Sequence, residues 1–281
     1  MTERNPWEIP GWRAVGREAA LVSQLVGSGA TALGRASYAD KVGEYYTAFF
    51  GLSIGIERLA KLVLVVEYAL TNGGRLPGQA VVKKFGHKIV RLIEAVDEVA
   101  RIRQLGLQYP RPSDDITPKI IECLDSFADA GRGRYANFHE LGDPNLGQHE
   151  PIEVWWNSVA DAILGTHYYG KAAQRRVERN AEEAQLLMGS FSSVLFVNET
   201  NSLMSSPLEA SIRTGQAEIV QKYGRYYALT VVRWLAEVFS ELARSACYEH
   251  KMNVFYGVWE HVESYPVPDE ILKTRTVWPL T

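Results

Sequence analysis

The stretch GRGRYANFHELGDPN, Gly131 to Asn145, sets Arg134, Asn137 and His139 within six residues, with Arg132 just ahead. Histidine can take and return a proton near neutral pH, and arginine offers a permanently charged, planar donor that matches phosphate oxygens. Together they suit metal-independent RNA cleavage. A base draws the proton from a ribose 2′-OH, that oxygen attacks the adjacent phosphorus, and the guanidinium stabilises the charge on the phosphorane. On a regular helix the five-residue step from Arg134 to His139 turns through about 500°, leaving the side chains about 140° apart. Convergence therefore needs an irregular backbone, which Gly131 and Gly133 permit. The same residues also read as a loop that caps a helix around a satisfied histidine. One histidine supplies only one proton-transfer group, and a homodimer setting two such segments face to face would supply the second.

A second group with chemical potential is basic. Lys84, His87, Lys88 and Arg91 fall at i, i+3, i+4 and i+7, beside Lys83. On a continuous helix from Val82 to Gln104 they would form one stripe, either a solvated face or a surface that contacts RNA phosphates. Glu94, Asp97 and Glu98 bound the stripe on its far side. Glu57 and Lys61 make an i, i+4 pair inside the apolar run GIERLAKLVLVV. A carboxylate there is costly to bury unpaired, so an Arg or His from another element is expected beside it.

Other chemistries lack their anchors. No Glu-x-x-His or His-Glu-x-x-His spacing occurs, and there is no GxxxxGK[ST] or GxGxxG. Metal and cofactor sites are accordingly not expected. Across the 281 residues the formal charge of −3 gives no global pull toward nucleic acid or membrane, so partners must be argued locally. Two cysteines, Cys123 and Cys247, outside any metal spacing suggest a reduced, cytoplasmic protein. No uninterrupted apolar run is long enough to span a bilayer, so no membrane partner is expected.

The elements that must position these residues read as all-α. Tyr45, Phe49, Leu52, Ile56, Leu59, Leu62, Val63, Val66 and Leu70 recur at helical steps in a long helix from Tyr38 to Thr71. Asn72-Gly73-Gly74 should end it. Ser113, Asp114 and Asp115 offer caps for a third helix through Phe127. Three helices on short loops pack as an antiparallel bundle. Further helices are expected at Ile152 to Tyr169, along the charged run Lys171 to Glu183, and from Leu208 to about Val262. Ser193 to Val197 alternates like a strand but is short enough for a loop. The aromatics Trp155, Trp156, Tyr168, Tyr169, Tyr226, Tyr227 and Trp234 should be mostly core. Adjacent pairs such as Trp155-Trp156 cannot both face it, which would leave one of each at a partner surface. Trp278 in the tail after Pro266 and Pro268 should dock. The expected divisions are an N-terminal helical arm (1–37), a bundle (38–145), a second helical region (146–265) and a C-terminal tail (266–281).

The segments GIERLAKLVLVVEYALTNGG, VKKFGHKIVRLIEAV and RGRYANFHEL together resemble the HEPN family, over roughly Tyr38 to Leu141. Arg134 to His139 fits that family's Arg, four to six residues, His motif with four intervening residues, and Arg132 to His139 fits it with six. The resemblance implies a small all-α bundle and a dimeric, metal-independent endoribonuclease of the kind bacteria use in antiphage defence or as toxins restrained by a regulatory protein. It gives Arg134 and His139 the catalytic roles, with Asn137 an added polar position, Glu57 as support and Arg132 as an auxiliary phosphate contact. The family also contains members that have lost catalysis and serve as binding or assembly modules.

Overall fold

The computed structural model describes residues 5–129 and 150–280. The fold is all-α, with a single two-residue hairpin pairing among the described residues. In chain order the principal elements are α1 (Pro10–Leu33), α2 (Val42–Thr71), α3 (Gln79–Lys84), α4 (Ile89–Ile102) and α5 (Ile116–Ala128). They continue with α6 (Pro151–Trp155), a π-helical turn (Trp156–Ala160), α7 (Asp161–His167), α8 (Ala172–Met188), the strands β1 (Phe196–Val197) and β2 (Leu203–Met204), α9 (Pro207–Tyr248) and α10 (Asp269–Thr274).

Two compact units emerge, each drawn from separated stretches. The first comprises Met1–Ala30, Phe50–Ser113 and Ala228–Thr281; the second comprises Thr31–Phe49 and Asp114–Tyr227. The unit boundaries fall inside α1, α2 and α9, whereas the partition expected from the sequence followed chain order.

In the first unit, α1 and α2 approach backbone to backbone. A Cβ on Gly51 would sit 2.6 Å from the Leu25 carbonyl oxygen and 2.8 Å from the Gly29 Cα, and one on Gly55 would sit 2.6 Å from Val26. The small-residue face Val15, Ala19, Val22, Val26 and Ala30 of α1 is buried as a result. From Ala228 to Ser240, α9 is buried all round except at Arg233 and Glu237, the pattern of a central core helix. Those two charged residues have dedicated partners. Arg233 donates to the Val267 carbonyl (3.0 Å) and Asp269 (2.7 Å), and Glu237 accepts from the backbone N–H groups of Gln108 and Tyr109 at 2.5 and 2.7 Å.

Several expected boundaries hold. α2 ends at Gly73 and Gly74, both in the left-handed region, with Gly74 N–H donating to the Ala69 carbonyl at 2.9 Å. The Asp114 carboxylate caps α5 by accepting from the N–H groups of Ile116 and Thr117. Trp278 docks, buried and stacked on Tyr265 with ring centroids 5.9 Å apart; the Tyr265 hydroxyl in turn donates to the Ser23 carbonyl. The long final helix is shorter than expected. It stops at Tyr248, and 3-10 turns at Asn253–Phe255 and Val258–Val262 follow.

In the second unit, Phe49 packs on Tyr45, Phe127 and Trp155 with centroids 6.1, 5.4 and 5.5 Å away. Here the expectation that one of Trp155 and Trp156 is left exposed is corrected, since the two face different clusters and both are buried. The π turn beginning at Trp156 widens the helix and shifts its phase. Trp155 enters the aromatic cluster, while Trp156 enters a polar one. Its indole N–H donates to the Tyr45 hydroxyl at 2.9 Å, and the Arg213 guanidinium lies 3.6 Å above its ring. Arg213 also donates to Glu199 at 2.7 Å, and both side chains are largely buried. Burial first, then the Glu199 charge, pushes the Tyr45 hydroxyl pKa well above its ordinary range. His167 stacks on Tyr223 at 3.5 Å and hydrogen-bonds to the Tyr227 hydroxyl.

Candidate functional site

Arg132, Arg134, Asn137 and His139 lie outside the described residues. The remaining candidates, Glu57, Lys84, His87, Lys88 and Arg91, all belong to the first unit and gather around the corner between α3 and α4.

The continuous basic stripe expected across this corner is corrected. α3 stops at Lys84, Gly86 takes φ +76°, and α4 starts after Lys88, its N-cap. A left-handed residue cannot continue a right-handed helix, so Lys84, His87, Lys88 and Arg91 do not share one helical face. They are instead the end of one helix, a bend, a cap and a first turn. All four are exposed. The bend sets His87 against Glu57 and Lys61 of α2.

Glu57 sits on α2 beside the buried stripe that contains Ile56, Leu59, Ala60 and Val63. Its carboxylate is mostly buried and accepts from Lys61 Nζ at 2.7 Å, one turn along the same helix. The partner expected from another element is His87, whose Nδ1 lies 3.0 Å from the same carboxylate oxygen and 3.3 Å from Lys61 Nζ. The His87 side chain is 82% exposed. Nδ1 is engaged by Glu57 and Lys61, and the rest of the ring is open to solvent. Glu57 thus orients an exposed imidazole, and Lys61 neutralises the carboxylate that does so.

Lys84 and Arg91 line a depression of about 410 Å³ with Phe85, Leu64, Tyr68 and Glu67. Glu67 is engaged elsewhere, holding Arg103 through two parallel hydrogen bonds of 2.8 and 2.9 Å. Two carboxylates beside the corner are therefore already matched, Glu57 by Lys61 and Glu67 by Arg103, while Glu94, one turn along α4 from Arg91, forms no ion pair among the described residues. Neither Lys84 nor Arg91 makes an ion pair among the described residues. This can do two things chemically: hold phosphate oxygens, and present a carboxylate-oriented imidazole to them.

The i, i+4 spacing made the Glu57–Lys61 pair legible in the sequence. The Glu57–His87 contact spans 30 positions, and the residue-level signal for it was the cost of burying Glu57 without a cross-element partner. Pairing of Glu67 with Arg103 carried no comparable signal, because each residue also reads as an ordinary exposed helix charge. Among the described residues no group of His, Cys, Asp and Glu could hold a metal ion, and no helix is long and apolar enough to cross a membrane. Comparison with known proteins finds no matching family model, curated protein or solved structure.

Proposed function

We propose that this chain binds RNA across the α3–α4 corner and cleaves it without a metal ion, acting as a homodimer of the HEPN kind. Arg134 and His139 perform the transesterification, Asn137 and Arg132 hold the phosphate beside them, and the corner grips the strand. The supporting observation is the charge balance at the corner. Glu57 and Glu67 are already matched by Lys61 and Arg103, so they leave Lys84 and Arg91 open to solvent, and His87 stays largely exposed beyond its contact with Glu57. A strand of phosphates is the partner that this arrangement suits.

The test is RNA affinity as a function of salt for the wild type and for Lys84→Gln/Arg91→Gln. Two lost phosphate contacts should lower the slope of log affinity against log salt by roughly 0.7 each on a single strand. An unchanged slope in a folded variant would remove the corner from the reading.

A second reading, a catalytically silent assembly module, is favoured by one observation. In the last turn of α8 and just after it, apolar side chains stand open: Leu186 is 84% exposed, Phe191 78% and Leu195 82%. Of the aromatics considered from the sequence, Trp155, Trp156, Tyr168 and Trp234 are buried and Tyr169 stands exposed, at 48%. Isolated exposed apolar residues are ordinary, but several within one short stretch suit a protein partner or a second copy. Under this reading Leu186→Ser/Phe191→Ser shifts the oligomeric state in sedimentation, and RNA is left uncleaved by every variant.

A further inference from the structure

A groove of about 1110 Å³ opens in the first unit between the start of α1 and the turns at residues 256–261. It lies outside the residues that carry the resemblance and shares none with the α3–α4 corner. Its volume is slightly above the usual range of small-molecule sites, about 300–1,000 Å³. Three aromatic rings line it, those of Trp7, Trp12 and Tyr256. Trp12 is fixed in place, its indole N–H donating to the Tyr256 carbonyl at 2.7 Å. Trp7 and Tyr256 are about half exposed, at 55% and 48%, although rings of this size ordinarily bury themselves when they can.

The charges around the groove are separated rather than paired. Arg13 and Arg17 stand one turn apart on α1 and so on one side of it. Glu8 and Glu260 also line the groove. No ion pair joins these cations and anions, although the protein forms ion pairs readily elsewhere. Gly16 lies between the two arginines, and a Cβ built there meets only His261 Nε2, at 4.0 Å. The absent side chain keeps the floor open.

We propose that this groove binds a nucleotide, with its base against the exposed rings and its phosphate on Arg13 and Arg17. Each feature has a counterpart in that ligand class. A base has a flat face for Trp7 and Tyr256 and N–H donors along its edge for Glu8 or Glu260; a phosphate takes the arginine fork. An aliphatic ligand would leave four charges unmatched. A cation caged by the rings and carboxylates would meet repulsion from two arginines. The nucleotide can be free, or one residue of a single RNA strand, and the chemistry recognised is the same.

The experiment is calorimetric titration of the full chain with GMP, AMP, UMP, guanosine, ribose 5-phosphate and a 5′-phosphorylated RNA hexamer. At least one mononucleotide should bind, with ribose 5-phosphate and guanosine each weaker by about tenfold or more. Arg13→Gln/Arg17→Gln should abolish the advantage of GMP over guanosine. Gly16→Trp should fill the groove and abolish binding while the far-ultraviolet dichroism and melting curve persist. If the hexamer alone binds and Gly16→Trp stops it, the occupant is the RNA strand and the assignment stands. The proposal is overturned if nothing binds below about 1 mM, or if Gly16→Trp binds like the wild type. These outcomes do not depend on cleavage, so a failed ribonuclease assay leaves them unaffected.

Discussion

The buried pair Arg213–Glu199 allows a prediction whose size follows from its surroundings. Glu199 is almost wholly enclosed, and its cation is Arg213, held at 2.7 Å and stacked on Trp156. Replacing Arg213 with Met keeps much of the side-chain volume and removes the charge. The carboxylate is then left buried without its counterion, a situation that costs about 3–5 kcal/mol. Loss of the guanidinium from the Trp156 face adds about 2 kcal/mol, because that contact is desolvated. The same argument limits the damage in the double variant. Arg213→Met/Glu199→Gln removes both charges, so most of the loss should be regained, with a coupling energy of about 2–3 kcal/mol. Urea denaturation followed by tryptophan fluorescence reads both, since Trp156 is part of the cluster. If the single variant loses less than about 1 kcal/mol, or the double variant is no better than the single, the pair behaves as a solvated one and the reasoning fails.

Other expectations concern backbone approach and high pH. Gly16 and Gly51 are both helical, yet their replacement by Ala should have opposite signs. Gly16→Ala meets only His261 Nε2, at an unstrained 4.0 Å, and should raise stability by about 0.5–1 kcal/mol, whereas Gly51→Ala meets α1 backbone and should lower it by about 1–3 kcal/mol, both read from melting curves. Burial, reinforced by the Glu150 charge, pushes the Cys123 thiol up to about 12, and burial likewise raises the Tyr45 and Tyr265 hydroxyls. Each group is held neutral in the fold while the unfolded chain ionises first. Stability should therefore be intact below about pH 9 and fall as pH rises toward 12, seen as a declining urea midpoint. Native Cys123 should resist thiol reagents at about pH 8 and react once urea unfolds the chain.

What the sequence revealed followed local physics. The α2 stripe, the glycines that end it, the Asp114 cap and the docking of Trp278 all arise from signals within a few residues of one another. Misreadings arose where a local pattern was compatible with two backbones. Phe85, Ile89 and Leu92 keep helical spacing across Gly86, so nothing in the apolar pattern marked the break that turns His87 toward Glu57. Trp155 and Trp156 do face apart, and what no local pattern marked is the second buried cluster, with Tyr45 and Arg213, that encloses Trp156. α1 was hard to weigh because its buried face is built from Ala, Val and Gly, whose value lies in the close approach of α2. The groove was invisible for a simpler reason: its two walls, near residues 7–17 and 256–261, are far apart in the chain. Of the proposed site, the corner is described, while the Arg134 and His139 motif rests on the resemblance.

Cleavage of an end-labelled RNA pool by the wild type and by His139→Ala, both in EDTA, tests the central proposal most directly. The account predicts products ending in 2′,3′-cyclic phosphate from the wild type and none from a variant that retains the wild-type melting curve. Equal cleavage by both proteins, or activity that disappears when EDTA is added, would contradict it.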